Sequence, residues 1–479
     1  ISLGLVGSEM CIRDSREDTR PIDDVLAGLL TRDLARLRTR GRDETAPPPW
    51  TSSASGRLRN TLPLKSRLFA WASEYYTEPQ MKSAEADEPG STQYNRQTWR
   101  RQRCERHIAE AMEQADDAAA ARWTRRLGAL PLSAPPMRLA FHEYDSHLVT
   151  ASEGHVLSVW DWDERRLLTS FSNGNHPGSD ITALAFVNEE VDALLLAGSA
   201  DGDVRLYRHY DLDVSGSRVP ELVSAFRAMP DLVRSRYPCG MSIAWQQVSG
   251  RLLVGGDCCV VRLWDAHREL CIADIPTHAN SCATSLTCDT DIGHLFMAGF
   301  GDGSIGVYDQ RNPPASSLVR LWEEHHALVQ NVHLQRHGQR ELVSASADGE
   351  VRLWDIRANA SIARRNVSTD LEGAALSSAS VHERVPAMAV SSAPHALGPS
   401  SAQSVQLVRL HDLAPLGRAY QRVLHGTSPA AQRSWMRGFP PPSRYSTATG
   451  LVAMHPHHPM MVFGGPDATL ELYRYERVL

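Results

Sequence analysis

The chain has 479 residues, of which 42% are hydrophobic, and it carries a formal net charge of −6. This hydrophobic content supports a sizeable core and excludes a wholly disordered chain. No run approaches the roughly 18 apolar residues that a membrane-spanning helix needs, and the mild acidity argues against a broad nucleic-acid-binding surface. Eight cysteines without regular spacing are typical of a reducing compartment rather than of a disulfide scaffold. Such thiols fit the cytosol or the nucleus, and we expect a cytoplasmic protein.

The first 63 residues show no pattern of a folded domain. Residues 1–15 (ISLGLVGSEMCIRDS) resemble a translated sequencing-adapter artefact and lack the basic start of a signal peptide, so we exclude them from the fold. Because the chain begins with Ile1 rather than Met, we expect it to be a fragment. Residues 16–63 are rich in Arg, Asp, Pro, Ser and Thr with little apolar periodicity, which predicts a disordered linker.

Residues 64–121 are predicted to form a helical lead-in. An aromatic segment over 66–82 has its apolar residues at roughly helical spacing, and 96–122 has the pattern of a second helix. This second helix is basic at its start and acidic later, against the helix dipole, so we expect packing or binding to hold it. Its basic run raises the alternative of RNA binding, but a solvated helix face is the simpler interpretation.

From about residue 137 onwards, one pattern recurs seven times. A small-residue segment is followed by a turn, and then by alternating apolar residues that end in an aromatic residue or its equivalent. These positions are Trp160, Tyr207, Trp264, Tyr308, Trp354, His411 and Tyr473. A period of about 40–45 residues with insertions is typical of WD-repeat propeller blades. The sequence therefore predicts an all-β, seven-bladed WD40 β-propeller over 122–479. Loop-like composition predicts insertions at 211–238, 358–404 and 413–446. The last two include Ala/Ser/Pro-rich stretches at 365–404 and 425–446.

Aspartates precede the aromatic strand in most copies, in turns where glycine can supply a positive φ. These turn aspartates are Asp201, Asp257, Asp302, Asp348 and Asp467. In WD repeats the turn aspartate and the aromatic residue are joined through a serine or threonine and a histidine. Blade five offers His326 and Ser344 for this role, between Asp348 and Trp354. Blade six lacks the turn aspartate and has His411 in place of the aromatic residue, so we expect it to be the loosest blade.

The seventh blade is too short to make its own outer strand. Each blade needs four strands and the aromatic residue ends the third, yet only six residues follow Tyr473. We predict that 122–132 supplies the missing strand, because closing the ring with both ends of the chain removes exposed sheet edges.

Signals for catalysis, cofactors or metals are weak, and we assign no catalytic, cofactor-binding or metal-binding residue. The GxGxxG match at 301–306 lies on a predicted hairpin turn without the helix that phosphate binding needs. The histidines of 455–459 lack a further ligand at useful spacing and are interpreted as a turn between strands. The adjacent Cys258 and Cys259 are expected to fill core space.

Several segments resemble the C-terminal WD40 region of the Raptor family. They are SEYYTEPQMK (73–82), DIPTHANSCATSLTCD (274–289), AGFGDGSIGVYDQR (298–311) and HPHHP (455–459). The resemblance spans about residues 64–479. It implies a non-enzymatic scaffold subunit of target of rapamycin (TOR) complex 1 in nutrient-responsive growth signalling. The implied partners are the TOR kinase and other subunits or substrates of the complex. From the composition we expect neither nucleic-acid binding nor a membrane span.

Two alternatives from other classes remain. A WD40 substrate receptor of a cullin-based ubiquitin ligase is the first, since Tyr308–Arg311 and Trp354–Arg357 fit the WDxR-type box used there. An enzymatic propeller is the second, and it would need buried titratable residues converging on the central channel. The strands that face this channel carry mainly small and apolar residues, which disfavours the enzyme.

Overall fold

The structure, a computed structural model, describes residues 89–476 with short internal gaps. The gaps are 119–121, 153–154, 177, 190–192, 212–219, 231, 233–238, 248, 267–269, 278, 280, 290–293, 337–340, 368–374, 393–403, 421–449 and 465–467. The predicted artefact at 1–15, the linker at 16–63 and the aromatic segment at 66–82 lie outside the described residues, as does Asp467.

Seven antiparallel sheets of four strands each form a ring, which confirms the seven-bladed propeller. Blades one to four contain, in order, β2 Pro136–Phe141, β3 His147–Ser152, β4 Val156–Asp161, β5 Arg166–Ser172; β6 Ile181–Val187, β7 Leu194–Ser199, β8 Asp203–Arg208, β9 Glu221–Arg227; β10 Met241–Gln246, β11 Arg251–Gly256, β12 Val260–Asp265, β13 Leu270–Pro276; and β14 Ala283–Cys288, β15 Leu295–Phe300, β16 Ile305–Asp309, β17 Leu318–Trp322.

The remaining three blades complete the ring. They contain β18 Val329–Leu334, β19 Leu342–Ser346, β20 Glu350–Trp354, β21 Ala363–Asn366; β22 Leu376–Val381, β23 Ala387–Ser392, β24 Ser404–Arg409, β25 Pro415–Tyr420; and β26 Leu451–Met454, β27 Met460–Gly464, β28 Thr469–Glu476 with β1 Arg122–Pro131.

The core lies between the faces of neighbouring sheets. Val343 and Val351 of blade five, for example, pack in one cluster with Met388 and Val390 of blade six. All four side chains are buried. Burying apolar side chains on both faces of a sheet is what drives such stacking, and each blade therefore depends on its neighbours.

Side-chain hydroxyls join the innermost strands of neighbouring blades. The Oγ1 of Thr182 in blade two accepts a hydrogen bond from the amide of Met241 in blade three, at 2.9 Å. In the same way, Ser380 Oγ in blade six accepts from the amide of Met454 in blade seven, at 3.0 Å. These small polar residues of the innermost strands thus hydrogen-bond neighbouring blades to each other.

The strand β1 closes the ring where the sequence predicts it. It pairs antiparallel with β28, and Leu130 lies opposite Leu470. Beyond the strand, the amide of Leu132 donates to the carbonyl of Ala468 at 2.8 Å. Leu130 is fully buried, together with Phe141 and Leu148 of blade one. The start of the propeller therefore covers the sheet edge of its last blade.

The predicted insertions are wrong in part, because strands lie within them. The range 358–404 holds β21, β22 and β23, the range 211–238 holds β9, and 413–446 holds β25. The sequences LSSASV and AMAVSS of β22 and β23 are poor in β-branched and aromatic residues. They nevertheless pair along their length, since small residues suit strands packed on both sides.

The aromatic position of blade six is Val408 and not His411. Val408 pairs with Met388 of the second strand, just as Trp354 pairs with Leu342 in blade five. His411 lies beyond the end of β24 and is exposed. Blade six has no turn aspartate to align it with the other repeats, so the repeat pattern predicts its aromatic position three residues too late.

The helix before the ring, α1, covers Thr92–Ala118, close to the predicted 96–122. Ser91 caps it by accepting a hydrogen bond from the amide of Tyr94 at 3.0 Å. It has neither an acidic first turn nor a basic last turn. Instead, Arg103 forms a 3.3 Å ion pair with Asp145, in the loop between β2 and β3. Within the described residues, no helix is long and apolar enough to cross a membrane.

Candidate functional site

The WD residues of blade five form a buried hydrogen-bond network. The indole N–H of Trp354 donates to Ser344 Oγ at 2.8 Å, and this oxygen lies 2.7 Å from Nε2 of a histidine. That histidine is His325, which is buried, whereas the predicted His326 is exposed. The prediction of His326 is therefore wrong by one residue: in the loop between β17 and β18, His325 faces inward and His326 faces solvent.

The acidic residue of this network also differs from the prediction. Nδ1 of His325 lies 3.3 Å from Oε2 of Glu350, while Oδ1 of Asp348 accepts the amide of Glu350 at 3.1 Å and so fixes the turn. Burial, aided by the nearby Arg352, lowers the pKa of His325. The histidine is therefore neutral at pH 7, and its two ring nitrogens link the segment before β18 to Ser344 of β19 and Glu350 of β20.

At three of the other aromatic positions, the side chain donates a hydrogen bond to the segment that follows the last strand of the preceding blade. Tyr207 donates to Asn173 Oδ1 at 2.8 Å, Trp264 donates to the carbonyl of Ala228 at 3.1 Å, and Tyr308 donates to the carbonyl of Thr277. Trp160 is buried in the seam between blades seven and one. Tyr473 instead donates within its own strand, to Glu471 at 2.6 Å.

The turn aspartates of blades two to four also have structural roles. Asp257 accepts the amides of Cys239 and Gly240, at 2.9 and 3.0 Å. Asp302 Oδ1 accepts the amide of Ser304 at 3.0 Å. Asp201 lies in the β7–β8 turn before Gly202, whose φ is +87°. The GxGxxG match lies in the corresponding hairpin turn between β15 and β16, as predicted.

A cluster of charged side chains lies at one mouth of the channel, where the loops between first and second strands meet. We call it the mouth cluster, and it consists of Glu143, Glu189, Arg336, Glu383 and His457, from blades one, two, five, six and seven.

Contacts within the mouth cluster cross the ring. Arg336 Nε lies 3.0 Å from Glu383 Oε1, and Arg336 Nη1 lies 3.8 Å from Glu143 Oε2. His457 Nε2 lies 3.0 Å from the other oxygen of Glu143. The amide of Glu143 donates to Glu189 Oε1 at 2.8 Å. Arg336 of blade five thus bridges towards blade one, on the far side of the channel.

Burial and these neighbours determine the charges of the mouth cluster. Burial and the adjacent Glu143 raise the pKa of Glu189 to about 8. Burial would raise the pKa of Glu383 too, but His333 and Arg336 outweigh it and lower that pKa to about 2. Burial acts to lower the pKa of Arg336, but Glu383, Glu143 and Glu189 outweigh it and raise that pKa.

Sequence reasoning missed the mouth cluster, although a signal was present. Four of its members lie two places beyond the end of an innermost strand: Glu143 after Phe141, Glu189 after Val187, Arg336 after Leu334 and Glu383 after Val381. The enzymatic alternative required titratable residues converging on the channel, and the loops, rather than the strands, supply them. Arg336, Glu383, Glu143 and His457 form ion pairs with one another, as expected of a structural network. Glu189, with its raised pKa of about 8, stays outside these pairs as a neutral carboxyl at pH 7.

The histidines of 455–459 form the predicted turn. Nδ1 of His455 accepts the amides of His457 and His458, at 3.1 and 3.0 Å. His142 of blade one and His382 of blade six cap the equivalent turns in the same manner. Burial lowers the pKa of His455 well below its usual value, so all three places suit a neutral turn-capping histidine.

The adjacent cysteines differ from the prediction at one position. Cys258 is half-buried against the cluster shared by blades two and three, as expected of a core residue. Cys259 is exposed, because successive side chains of a strand or tight turn point to opposite faces. Both thiols are free.

The outer edge of the ring carries exposed apolar side chains on three consecutive blades. We call them the outer-edge patch: Ile272 of blade three, Val319 of blade four and Ile362 of blade five, with exposed fractions of 48%, 52% and 61%. Ile272 and Val319 are the extra residues of β-bulges opposite the aromatic position. Each of the three blades contributes one such side chain, and exposed apolar side chains can form part of a protein-binding surface.

The residues 316–355 match the family model of the WD domain, G-beta repeat. The chain is 39% identical over 345 residues to "Target of rapamycin complex 1 subunit mip1" of Schizosaccharomyces pombe, which covers 72% of this chain and 26% of that protein. It is 42% identical over 301 residues to "Target of rapamycin complex 1 subunit KOG1" of Saccharomyces cerevisiae, covering 62% of this chain and 19% of that protein.

A solved structure, of Chaetomium thermophilum Raptor, matches with a TM-score of 0.66 and 32% identity, over 94% of this chain and 35% of that one. The resemblance to the Raptor family is confirmed. The chain spans about a quarter or less of the length of the two yeast relatives. Its likeness to the Raptor structure includes the propeller described above, so the ring belongs to the matching region.

Proposed function

We propose that this propeller is a protein-binding platform of a TOR complex 1 scaffold subunit. The observation that carries the proposal is the 39% identity to a TOR complex 1 subunit over 72% of this chain. Its partners would be the TOR kinase, other subunits of the complex or its substrates, and it would act in the cytoplasm. A role in nutrient-responsive growth signalling follows from membership of that complex.

We further propose that the propeller is not an enzyme. In the buried WD network, Trp354, Ser344 and His325 hydrogen-bond strands to one another. The ion pairs of the mouth cluster join its members to one another. Its Glu189 has a pKa in the range of acid–base catalysis, but the Oε1 of this carboxyl already accepts the amide of Glu143. Both groups of residues are thus engaged in contacts within the propeller.

The outer-edge patch is the contact surface that we propose for a subunit of the complex. It combines apolar side chains with a fixed backbone: the strands that carry Ile272 and Val319 are paired within their sheets, and the amide of Ile362 donates to the carbonyl of Leu353 at 2.8 Å. The outer parts of the blades are also tied to one another: Arg320 of blade four donates to Asn359 in the loop before the outer strand of blade five. A rigid surface loses little conformational entropy on binding.

Affinity capture tests the proposal. The tagged chain is expressed in Schizosaccharomyces pombe, and captured proteins are identified by mass spectrometry. We expect recovery of the TOR kinase, and a loss of at least tenfold when Ile272, Val319 and Ile362 are all changed to Asp. Leu167→Asp is the control, since Leu167 is also exposed but lies on blade one.

Recovery of a ubiquitin-ligase linker protein without TOR kinase would contradict the proposal and favour the ligase alternative. Unchanged recovery with the triple variant would contradict the assignment of the outer-edge patch. The folding of each variant is checked by circular dichroism.

A further inference from the structure

Cysteine thiols make contacts between the innermost strands of blades three and four. Cys239 lies two residues before β10 and Cys282 directly before β14, and their sulfur atoms are 3.7 Å apart. Further along the same pair of strands, the thiol of Cys288 donates to the carbonyl of Trp245 at 3.2 Å. In the seams between blades two and three and between blades six and seven, serine and threonine hydroxyls make the comparable links.

Asp257 holds this thiol pair in place. Its two carboxylate oxygens accept the amides of Cys239 and Gly240, which fixes the segment entering β10. Both cysteines are only partly buried, so a small solute can reach them. The two sulfur atoms are therefore presented to each other from neighbouring blades by fixed strand ends.

A metal ion is the competing interpretation, because Cys239, Asp257 and Cys282 place their ligand atoms within 4.8 Å of one another. Structural zinc sites are almost always four-coordinate, whereas this group offers three ligands among the described residues. Both oxygens of Asp257 already accept main-chain hydrogen bonds. The carboxylate thus has a structural role without a metal, and the two sulfurs remain as the reactive groups.

We propose that Cys239 and Cys282 form an oxidation site, at which a hydroperoxide converts the two thiols into a disulfide that joins blade three to blade four. The sulfurs must approach from 3.7 Å to the roughly 2.05 Å of a disulfide bond. This movement falls on residues outside the paired strands, where side chains can rotate.

The reaction balances with hydrogen peroxide as the oxidant. Cys282 loses its proton and the thiolate attacks one peroxide oxygen. The O–O bond breaks, a sulfenic acid forms, and the leaving hydroxide takes up a proton equivalent to the one that Cys282 released, which gives one water. The Cys239 sulfur then attacks the sulfenic sulfur, the S–S bond forms, and the S–O bond breaks with release of a second water. Hydrogen bonding from Cys239 favours this order, since it lowers the pKa of Cys282 to about 7.

Peptide mapping tests the proposal on the full chain. The protein is treated with hydrogen peroxide, free thiols are alkylated, and the digest is analysed without reduction. We expect a Cys239–Cys282 cross-linked peptide at least tenfold more abundant than any other cysteine pair, reversed by dithiothreitol. Oxidation should also raise the melting temperature, because the cross-link restrains the unfolded chain.

Three variants serve as controls. Cys239→Ser and Cys282→Ser should each abolish both the cross-link and the rise in melting temperature. Cys271→Ser should change neither, because Cys271 is an exposed thiol that contacts Ala273 and Asp274 instead.

Two results would overturn the proposal. One is the absence of the cross-link while the exposed Cys259 and Cys271 become oxidised. The other is one equivalent of zinc in the untreated protein, measured by elemental analysis and lost in Cys239→Ser. Circular dichroism of each variant separates these results from a failure to fold.

Discussion

At the scale of single residues, neighbouring histidines have opposite roles. His325 is buried against Ser344, whereas His326 is exposed. Replacing His325 leaves the buried Ser344 hydroxyl with one partner fewer and opens a cavity. A buried polar group that loses its partner costs about 1–3 kcal/mol.

The first prediction follows from this contrast. His325→Ala should lower the free energy of unfolding by about 1–3 kcal/mol, while His326→Ala should change it by less than about 0.5 kcal/mol. Urea denaturation followed by tryptophan fluorescence measures both. Equal effects of the two variants would contradict the assignment of His325.

The second prediction concerns pH. Glu189 has a pKa near 4.5 when unfolded and about 8 when folded. As pH rises through this window, the unfolded state loses its proton first, so Glu189 reduces stability by at most roughly 1.4 kcal/mol per pH unit. Glu189→Gln retains an oxygen that can accept the Glu143 amide but does not titrate.

The variant should therefore match the wild type at pH 4.5 and become progressively more stable than it up to about pH 8, with a constant difference beyond. Thermal melts at half-unit pH steps measure this difference. A difference that does not vary with pH would show that Glu189 is ionised in the folded protein throughout.

At the scale of elements, the closing strand depends on one buried side chain. Leu130 is fully buried in the seam between blades seven and one. Leu130→Ala should cost about 2–5 kcal/mol, the usual cost of such a truncation in a core. The control is Leu167→Ala on the outer strand of blade one, where the side chain is 44% exposed and little should change. Similar melting temperatures for the two variants would show that β1 contributes little to the ring.

The sequence predicts elements well where its pattern is periodic. Third strands such as β20 end in an aromatic residue after alternating buried positions, so the sequence predicts the third strands of blades one to five and seven correctly. In blade six, Val408 replaces the aromatic residue, and the small residues of β22 and β23 carry no strand signal. The pattern therefore predicts an insertion where these two strands lie. The mouth cluster escaped because its members converge only when the ring closes.

At the scale of the whole molecule, one sheet joins the two ends of the ring, because β1 is the outer strand of the blade that contains β28. Residues 122–131 and 469–476 are far apart in sequence but pair along seven positions. A ring closed in this way unfolds as a unit, since opening the junction exposes the faces of blades one and seven together. The account of the molecule as a rigid binding platform depends on this closure.

Hydrogen–deuterium exchange of the full chain, resolved by peptide, tests the closure most directly. We predict that peptides covering 122–131 are protected, and that they exchange on the same slow timescale as peptides covering 469–476. Rapid exchange of 122–131, at the rate of an unstructured chain, while 469–476 stays protected would contradict the closed ring.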